Sequence, residues 1–368
     1  MFNLVLTKTN LYKILFLTIF WMCAIVLYIL LEMGIEILVA NLHGLKDYDY
    51  NFGRILLIGL SATIVGSLAI GSFEVLFFSR VLSKIPFGAS LIIKAAFYLV
   101  SIFFFTSIAT QISYSYIIDK PLFDQEVLAR LSVYLKSPKL WAVSLYWGVM
   151  IMAAVFILQV SEKFGRGVLL NFILGKYHRP KAEDRIFMFL DLTSSTAYAE
   201  RLGHIKYSKL LQDCFYDLTK AASSCDAQIY QYVGDEVVLT WSKKQGLKNC
   251  NCVKLFFEFA ETLNEKGEHY KKEFGLIPEF KAGIHLGEVT VVEVGELKKE
   301  LAYHGDALNT TARIRSSCNS FNKNLLISAD LLSLLTDIDK KYKVESIGIC
   351  KLKGKRNVIA LFSVEGSP

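Results

Sequence analysis

Four apolar stretches, each long enough to cross a bilayer, dominate the first part of this chain and restrict how it can fold. They run over about Leu11–Leu38, Ile55–Phe78, Ala89–Ile118 and Trp141–Val160. Each supplies about 20 mostly apolar residues, which as a helix match the thickness of the hydrocarbon layer. A backbone in lipid must satisfy its own N–H and C=O groups, so each stretch is predicted to be helical. A soluble surface helix carries a polar stripe, and these stretches lack one. The division this implies is an α-helical transmembrane bundle over residues 1–160, a helical coupling linker over 161–184 and a separate domain over 185–368.

Lys8 and Lys13 precede the first stretch and no clean small-residue cleavage site follows, so it reads as an anchor rather than a removed signal peptide. An even number of spans puts both ends on one side. Arg80 and Lys84 follow the second span, and Lys163 and Arg166 follow the fourth. Lys120, Arg130, Lys136 and Lys139 lie between spans three and four, diluted by Asp119, Asp124 and Glu126, so the positive-inside bias is modest. Lys94, early in span three, either snorkels or faces the bundle. The net charge of +7 is the kind a juxtamembrane segment brings to anionic lipid, and Arg166, Lys176, His178, Arg179 and Lys181 make the linker basic. No strand pair interleaves aromatic with basic residues in the manner of an RNA-binding sheet, which argues against nucleic acid as a partner. The seven cysteines show no paired metal spacing and read as free thiols.

The second half alternates irregularly between strands and helices. Strands are predicted at Arg185–Leu192, Ala227–Val233, Glu236–Trp241, Pro278–His285, Glu288–Val294, Leu325–Ser328, Val344–Ile349 and Val358–Val364. Helices are predicted at Thr196–Ser223, Leu247–Tyr270 and Asp306–Ser317. Hairpin-linked neighbours point to an α+β layered domain rather than a parallel doubly wound sheet.

Two aspartates stand out. Asp191 ends the first strand, and Asp235 sits at the tip of the hairpin that follows. Asp191 alone reads as a helix cap and Asp235 alone as a turn residue. Brought together, two carboxylates repel unless a cation meets both, and Mg²⁺ or Mn²⁺ suits carboxylate oxygens. Ser194, Ser195 and Thr196 open the next helix, where backbone N–H groups can receive a phosphate. Glu236 is predicted to point away from this pair by strand alternation.

The segments Phe189-Leu190-Asp191-Leu192-Thr193-Ser194-Ser195-Thr196, Val233-Gly234-Asp235-Glu236, Gly283-Ile284-His285-Leu286-Gly287-Glu288-Val289, Gly305-Asp306-Ala307-Leu308-Asn309-Thr310-Thr311-Ala312-Arg313 and Lys353-Gly354-Lys355 resemble, in order, the catalytic domain of class III adenylate and guanylate cyclases. The resemblance covers roughly the C-terminal half. It implies a ferredoxin-like core, a head-to-tail homodimer with both pockets at its interface, and two Mg²⁺ or Mn²⁺ ions per active site. Residue by residue, it implies that Asp191 and Asp235 bind the metals and that Thr193, Ser194, Ser195 and Thr196 meet the nucleotide. Asn309 and Arg313 come from the opposite chain to orient the ribose and offset charge on the α-phosphate, and Lys353 meets the outer phosphates. Because such chemistry needs nucleotide, the catalytic half is expected on the cytoplasmic side of a plasma or inner membrane.

The chain departs from the family at the base pocket. Adenylate-selective members carry a lysine where Gln231 stands and an aspartate or threonine where Ala302 stands; guanylate-selective members carry a glutamate at the first position. Tyr303 and His304 replace the usual bulky pair. A glutamine amide both donates and accepts, so it suits an adenine edge or, less typically, a guanine one. The expected reaction is ATP to cyclic AMP and pyrophosphate. The alternatives are GTP as substrate, or a catalytically silent domain that binds nucleotide or dimerises without turnover.

Overall fold

The computed structural model describes residues 8–42, 52–78, 81, 85–164, 171, 174–297, 299–351 and 358–366. It divides into two units, Met1–Lys163 and Phe164–Pro368, each taken here by itself.

In the first unit, α1 (Lys8–Leu42), α2 (Phe52–Phe73), α3 (Phe87–Ile118) and α5 (Pro138–Phe164) are the long helices, with a shorter α4 (Gln125–Leu135) between the last two. Among the described residues, four helices are long and apolar enough to cross a membrane. Leu17, Trp21, Ile25, Ile29, Tyr98, Trp147 and Ile151 pack into a common core. Leu57, Ile92, Val100 and Met152 are about 70% exposed on the outside, the inverse of a water-soluble surface and what lipid requires. Helix α4 was not predicted: its segment is short and mixed in polarity, and it is started locally by the Asp124 carboxylate, which accepts from the Glu126 N–H at 2.8 Å.

Span two ends in a π-helical turn, Glu74–Phe78. Glu74 is buried, accepts from the Lys94 ammonium at 2.5 Å and accepts from the Tyr98 hydroxyl at 2.7 Å. Lys94 therefore faces the bundle and does not snorkel. Removing one partner of a buried pair strands the other charge. Glu74→Ala is expected to lower the thermal stability of the full chain in detergent by about 3–5 kcal/mol, and Glu74→Gln by less. Equal melting temperatures for Glu74→Ala and the parent chain would refute the pairing.

In the second unit, β1 (Lys181–Leu192), α6 (Ser195–Ser224), β2 (Gln228–Val233), β3 (Glu236–Ser242), α7 (Lys243–Leu247), α8 (Asn251–Glu265), α9 (Gly267–Phe274) and β4 (Phe280–Val294) build the core. The strand order β2-β3-β1-β4, antiparallel throughout, with α6 and α8 as the crossovers, is the ferredoxin-like arrangement. β5 (Glu300–His304) pairs with β4, α10 (Asp306–Ser320) follows, and β6 (Leu325–Ser328), β8 (Val358–Gly366) and β7 (Tyr342–Lys351) extend the sheet beyond β4.

Strand β1 is buried on both faces, and alternation sorts its residues. Ile186, Met188, Leu190 and Leu192 join Leu210, Leu218, Phe256, Phe259 and Leu263 from α6 and α8. Phe187 and Phe189 join Val289, Val291 and Ala307 on the opposite face. Asp191 continues that second series, so its carboxylate lies on the face away from α6 and α8.

Helix α10 packs on this second face. A Cβ on Gly283 of β4 would fall 2.3 Å from the Arg315 backbone N, and one on Gly287 would fall 2.8 Å from the Ala307 Cβ. Helix backbone thus rests on strand backbone, and Gly287 lets β4 run unbroken where two strands were predicted. Gly283→Ala is expected to destabilise the domain by about 3 kcal/mol or more, because the obstructing atoms are main chain and cannot rotate away. A chemical denaturation midpoint unchanged by the substitution would contradict that contact.

Other expectations were too regular. The predicted helix Thr196–Ser223 is kinked at Gly203, which adopts φ 71°. The single helix predicted at Leu247–Tyr270 is broken where Asn249 and Cys250 take left-handed conformations, and again before Gly267. Its apolar periodicity continues across both breaks and conceals them.

Candidate active site

Asp191 and Asp235 come together at the end of β1 and the β2–β3 turn, where Gly234 supplies φ 63°. The register places Asp191 opposite Glu236 on the neighbouring antiparallel strand, and directly opposed residues share a face. Glu236 therefore points toward the Asp191 side, contrary to the alternation argument. That argument counted from Asp235, a turn residue that does not follow strand alternation.

The cation that answers these carboxylates is Arg315, which sequence reasoning missed. Its Nη1 lies 3.0 Å from Asp191 Oδ2, while Nη2 and Nε donate to Glu236 Oε2 at 2.7 and 3.1 Å. The available signal was the register itself: a carboxylate opposite a carboxylate on a half-buried face needs a cation. One guanidinium does not balance three acids. Burial, with repulsion from Asp235 and Glu236, pushes the Asp191 carboxyl up to about 6 against the pull of Arg315. Hard oxygen donors carrying an uncompensated negative charge fit a hard divalent cation. Among the described residues, no three His, Cys, Asp or Glu side chains converge as a closed ion cage.

Asp191, Thr193, Ser194, Ser195 and Thr196 line one cavity of about 210 Å³ together with Lys281, Arg315 and Asn319. Ser194 occupies the N-cap of α6 in a left-handed conformation with no side-chain cap bond. The Thr193 hydroxyl is buried without a protein partner, although its N–H donates to the Glu279 carbonyl at 2.8 Å. A larger cavity of about 440 Å³ lies around Arg185, roughly 20 Å away along β1. It contains neither aspartate.

The base-pocket residues lie on β2 and β5, where Tyr230, beside Gln231, meets Tyr303. Gln231 is exposed beside an irregularity in the β2–β3 pairing. Ala302 pairs with Val292 on β4. Tyr303 is held by its neighbours: Tyr230 edge-on at 4.8 Å, Phe187 at 5.5 Å, and the buried Arg185 guanidinium 5.1 Å from the ring centre. It forms part of an aromatic wall. His285 bonds Ser328 Oγ through Nδ1 at 2.8 Å and is spent on structure. Lys353 lies outside the described residues.

Asn309 and Arg313 sit on α10, one turn apart and on the same face. Arg315 lies about 200° around the helix from Arg313. The turn that reaches Asp191 therefore directs Arg313 to the other side of the helix.

The domain is an α+β fold on a ferredoxin-like sheet, with strand-end carboxylates beside an uncapped helix start. Residues 179–365 match the adenylate and guanylate cyclase catalytic domain family, and the chain belongs to that family. It is 33% identical over 210 residues to Adenylate cyclase 2 of Rhizobium meliloti (strain 1021), covering 57% of this chain and 58% of that protein. It is 26% identical over 187 residues to Receptor-type guanylate cyclase gcy-13 of Caenorhabditis elegans, covering 50% of this chain and 18% of that one. The solved structure of a bacterial light-regulated adenylyl cyclase shares the fold, with a TM-score of 0.50 at 18% identity over 59% of this chain and 63% of that one. The chain thus spans little more than half of the first of these relatives.

Folding raises the Asp191 carboxyl from 3.8 to about 6, so between those values the folded protein keeps a proton that the unfolded chain has released. The contribution of this group to stability therefore falls as pH rises through that window. Asp191→Asn is expected to raise the melting temperature of the metal-free protein near pH 7.5 and to change it little near about pH 4. The same increment at both pH values would show that the Asp191 charge carries no such penalty.

Proposed function

We propose that this chain is a membrane-bound class III cyclase that converts ATP to cyclic AMP and pyrophosphate at pockets shared by two copies of itself, its catalytic half facing the cytoplasm. The observation that carries this reading is the geometry of α10. Arg315 turns toward the chain's own Asp191 and Glu236, while Asn309 and Arg313 face elsewhere on the helix and are available to a second chain.

Asp191 and Asp235 would hold two Mg²⁺ or Mn²⁺ ions, which when bound supply Lewis acidity at the ribose 3′-hydroxyl and at the triphosphate. The N–H groups of Ser194, Ser195 and Thr196, left without a side-chain cap, receive phosphate oxygens. Asn309 from the second chain orients the ribose. Arg313 lays its planar fork against the α-phosphate as the 3′-oxygen bonds to phosphorus and the bond to the leaving pyrophosphate breaks. Lys353 balances the outer phosphates. Positioning and charge compensation are the main demands of such a transfer.

The name of the Rhizobium meliloti relative favours ATP. Gln231 supports a second reading, GTP, because an exposed amide meets either purine edge and Ala302 offers only backbone to enforce a choice.

Full-length protein in detergent, supplied with Mn²⁺ or Mg²⁺ and with ATP or GTP, is expected to release cyclic AMP from ATP. Cyclic GMP as the sole product would reverse the base assignment, and bound nucleotide with no cyclic product would replace the enzyme with a regulatory binder. Asp191→Ala and Arg313→Ala chains are each expected to be inactive alone. Mixed in equal amounts they should recover about a quarter of the parent activity, since half the dimers then contain one intact pocket of two. A co-assembled mixture that stays inactive would rule out the shared site.

A further inference from the structure

We propose that Arg315 is a positioning residue of the carboxylate site: an internal cation that occupies an Asp191 oxygen in the metal-free chain and is retained by Glu236 when Asp191 takes a divalent ion. The proposal rests on the metal role given to Asp191 above.

The geometry is asymmetric. Arg315 reaches Asp191 through Nη1 alone, at 3.0 Å, but reaches Glu236 through both Nη2 and Nε, at 2.7 and 3.1 Å. Releasing Asp191 gives up one contact and leaves the two-point hold on Glu236 intact. The Arg315 backbone rests against β4, its N lying 2.3 Å from where a Gly283 Cβ would stand. The guanidinium is the part free to adjust.

The three side chains are 15–25% exposed, so solvent only partly screens them. Charge gives the arrangement its purpose. Asp191, Asp235 and Glu236 with Arg315 carry a formal charge of minus two; Lys281, opposite Asp191 on β4, lines the same cavity and donates to Asn319 Oδ1 at 2.9 Å. Without Arg315 the metal-free site would carry three negative charges. With Arg315 tied only to Asp191 and no Glu236 to retain it, the metal would face a fully committed competitor. Arg315 also forms part of the wall of the cavity that holds Asp191 and the start of α6, so its position sets the direction from which Asp191 is approached.

This differs from a purely structural salt bridge in sign. If Arg315 only braced the fold, the charge-keeping Arg315→Lys would bind metal no more tightly than the parent chain. As a competing cation, its removal strengthens metal binding while leaving Asp191 poorly held for the reaction.

The test is Mn²⁺ binding to nucleotide-free, full-length protein, read from the electron paramagnetic resonance signal of free Mn²⁺. Arg315→Met is expected to bind Mn²⁺ about tenfold more tightly than the parent chain and to lose turnover. Arg315→Lys keeps a cation that cannot bridge two acids by a planar fork, so it is expected to fall between the two and serves if Arg315→Met fails to fold. Asp191→Ala identifies the site. Binding that vanishes in Asp191→Ala but is no tighter in either Arg315 variant overturns the Arg315 proposal and leaves the metal reading standing. Binding unaffected by Asp191→Ala overturns both.

Discussion

Helix α10 lies directly on β4, backbone against backbone, because position 283 is glycine. A side chain there would overlap the Arg315 main chain. The contact determines which turn of α10 is adjacent to β1 and therefore which residues can reach Asp191. It leads Arg315 into the carboxylates and, by helical geometry alone, leads Arg313 away from them. Moving the helix outward by the width of one methyl group would loosen the Arg315 contacts with Asp191 and Glu236 together, since both depend on the same guanidinium. The second glycine, Gly287, keeps the start of α10 close, with Ala307 against it. A helix held at two points along one strand is fixed in both tilt and rotation.

That rigidity serves a site whose charges are not settled by the protein alone. A half-buried aspartate with its carboxyl pushed up to about 6 is a local cost that the rest of the domain sustains. The core under it is well suited to do so: β1 is packed on one face by α6 and α8 and on the other by the Phe187 cluster. Asp191 ends β1 in the cavity that Arg315 also lines. Such a placement weakens the metal-free fold and favours a ligand that brings positive charge, because anything binding only the folded state adds to its stability.

Much of this was legible in the sequence, and the exceptions share a cause. The alternation in Ile186–Leu192 and the turn chemistry of Gly234-Asp235 are local signals, and both strands and their order along the chain follow from them. The spans follow from length and apolarity. What local signals cannot carry is which residues face one another across strands. Glu236 was misplaced because its face is set by its partner Asp191 and not by Asp235 beside it. Arg315 was missed because it pairs with residues 79 and more positions away, brought near by a helix packing on a glycine. Strand β5 was missed because Glu300–His304 is short and earns its pairing from β4. The break at Asn249–Cys250 was hidden by apolar residues whose spacing ran on across it.

The membrane unit shows the same dependence on a single polar arrangement. Its helices are apolar on nearly all sides, so dispersion packing against neighbours differs little between one rotation and another. Glu74, Lys94 and Tyr98 remove that degeneracy. Any sliding or rotation of span two against span three leaves an acid and an ammonium unpaired in a medium that cannot solvate them, so the pairing selects one register. The π-helical turn contributes by changing the direction in which Glu74 leaves its helix, since the wider turn shifts the residues that follow it. A bundle specified in this way is more than a greasy tether. In the shared-pocket reaction proposed above, rate would depend on how the two half-sites meet. A membrane segment with one defined packing presents its neighbours with one defined surface, whereas a set of interchangeable apolar rods would present many.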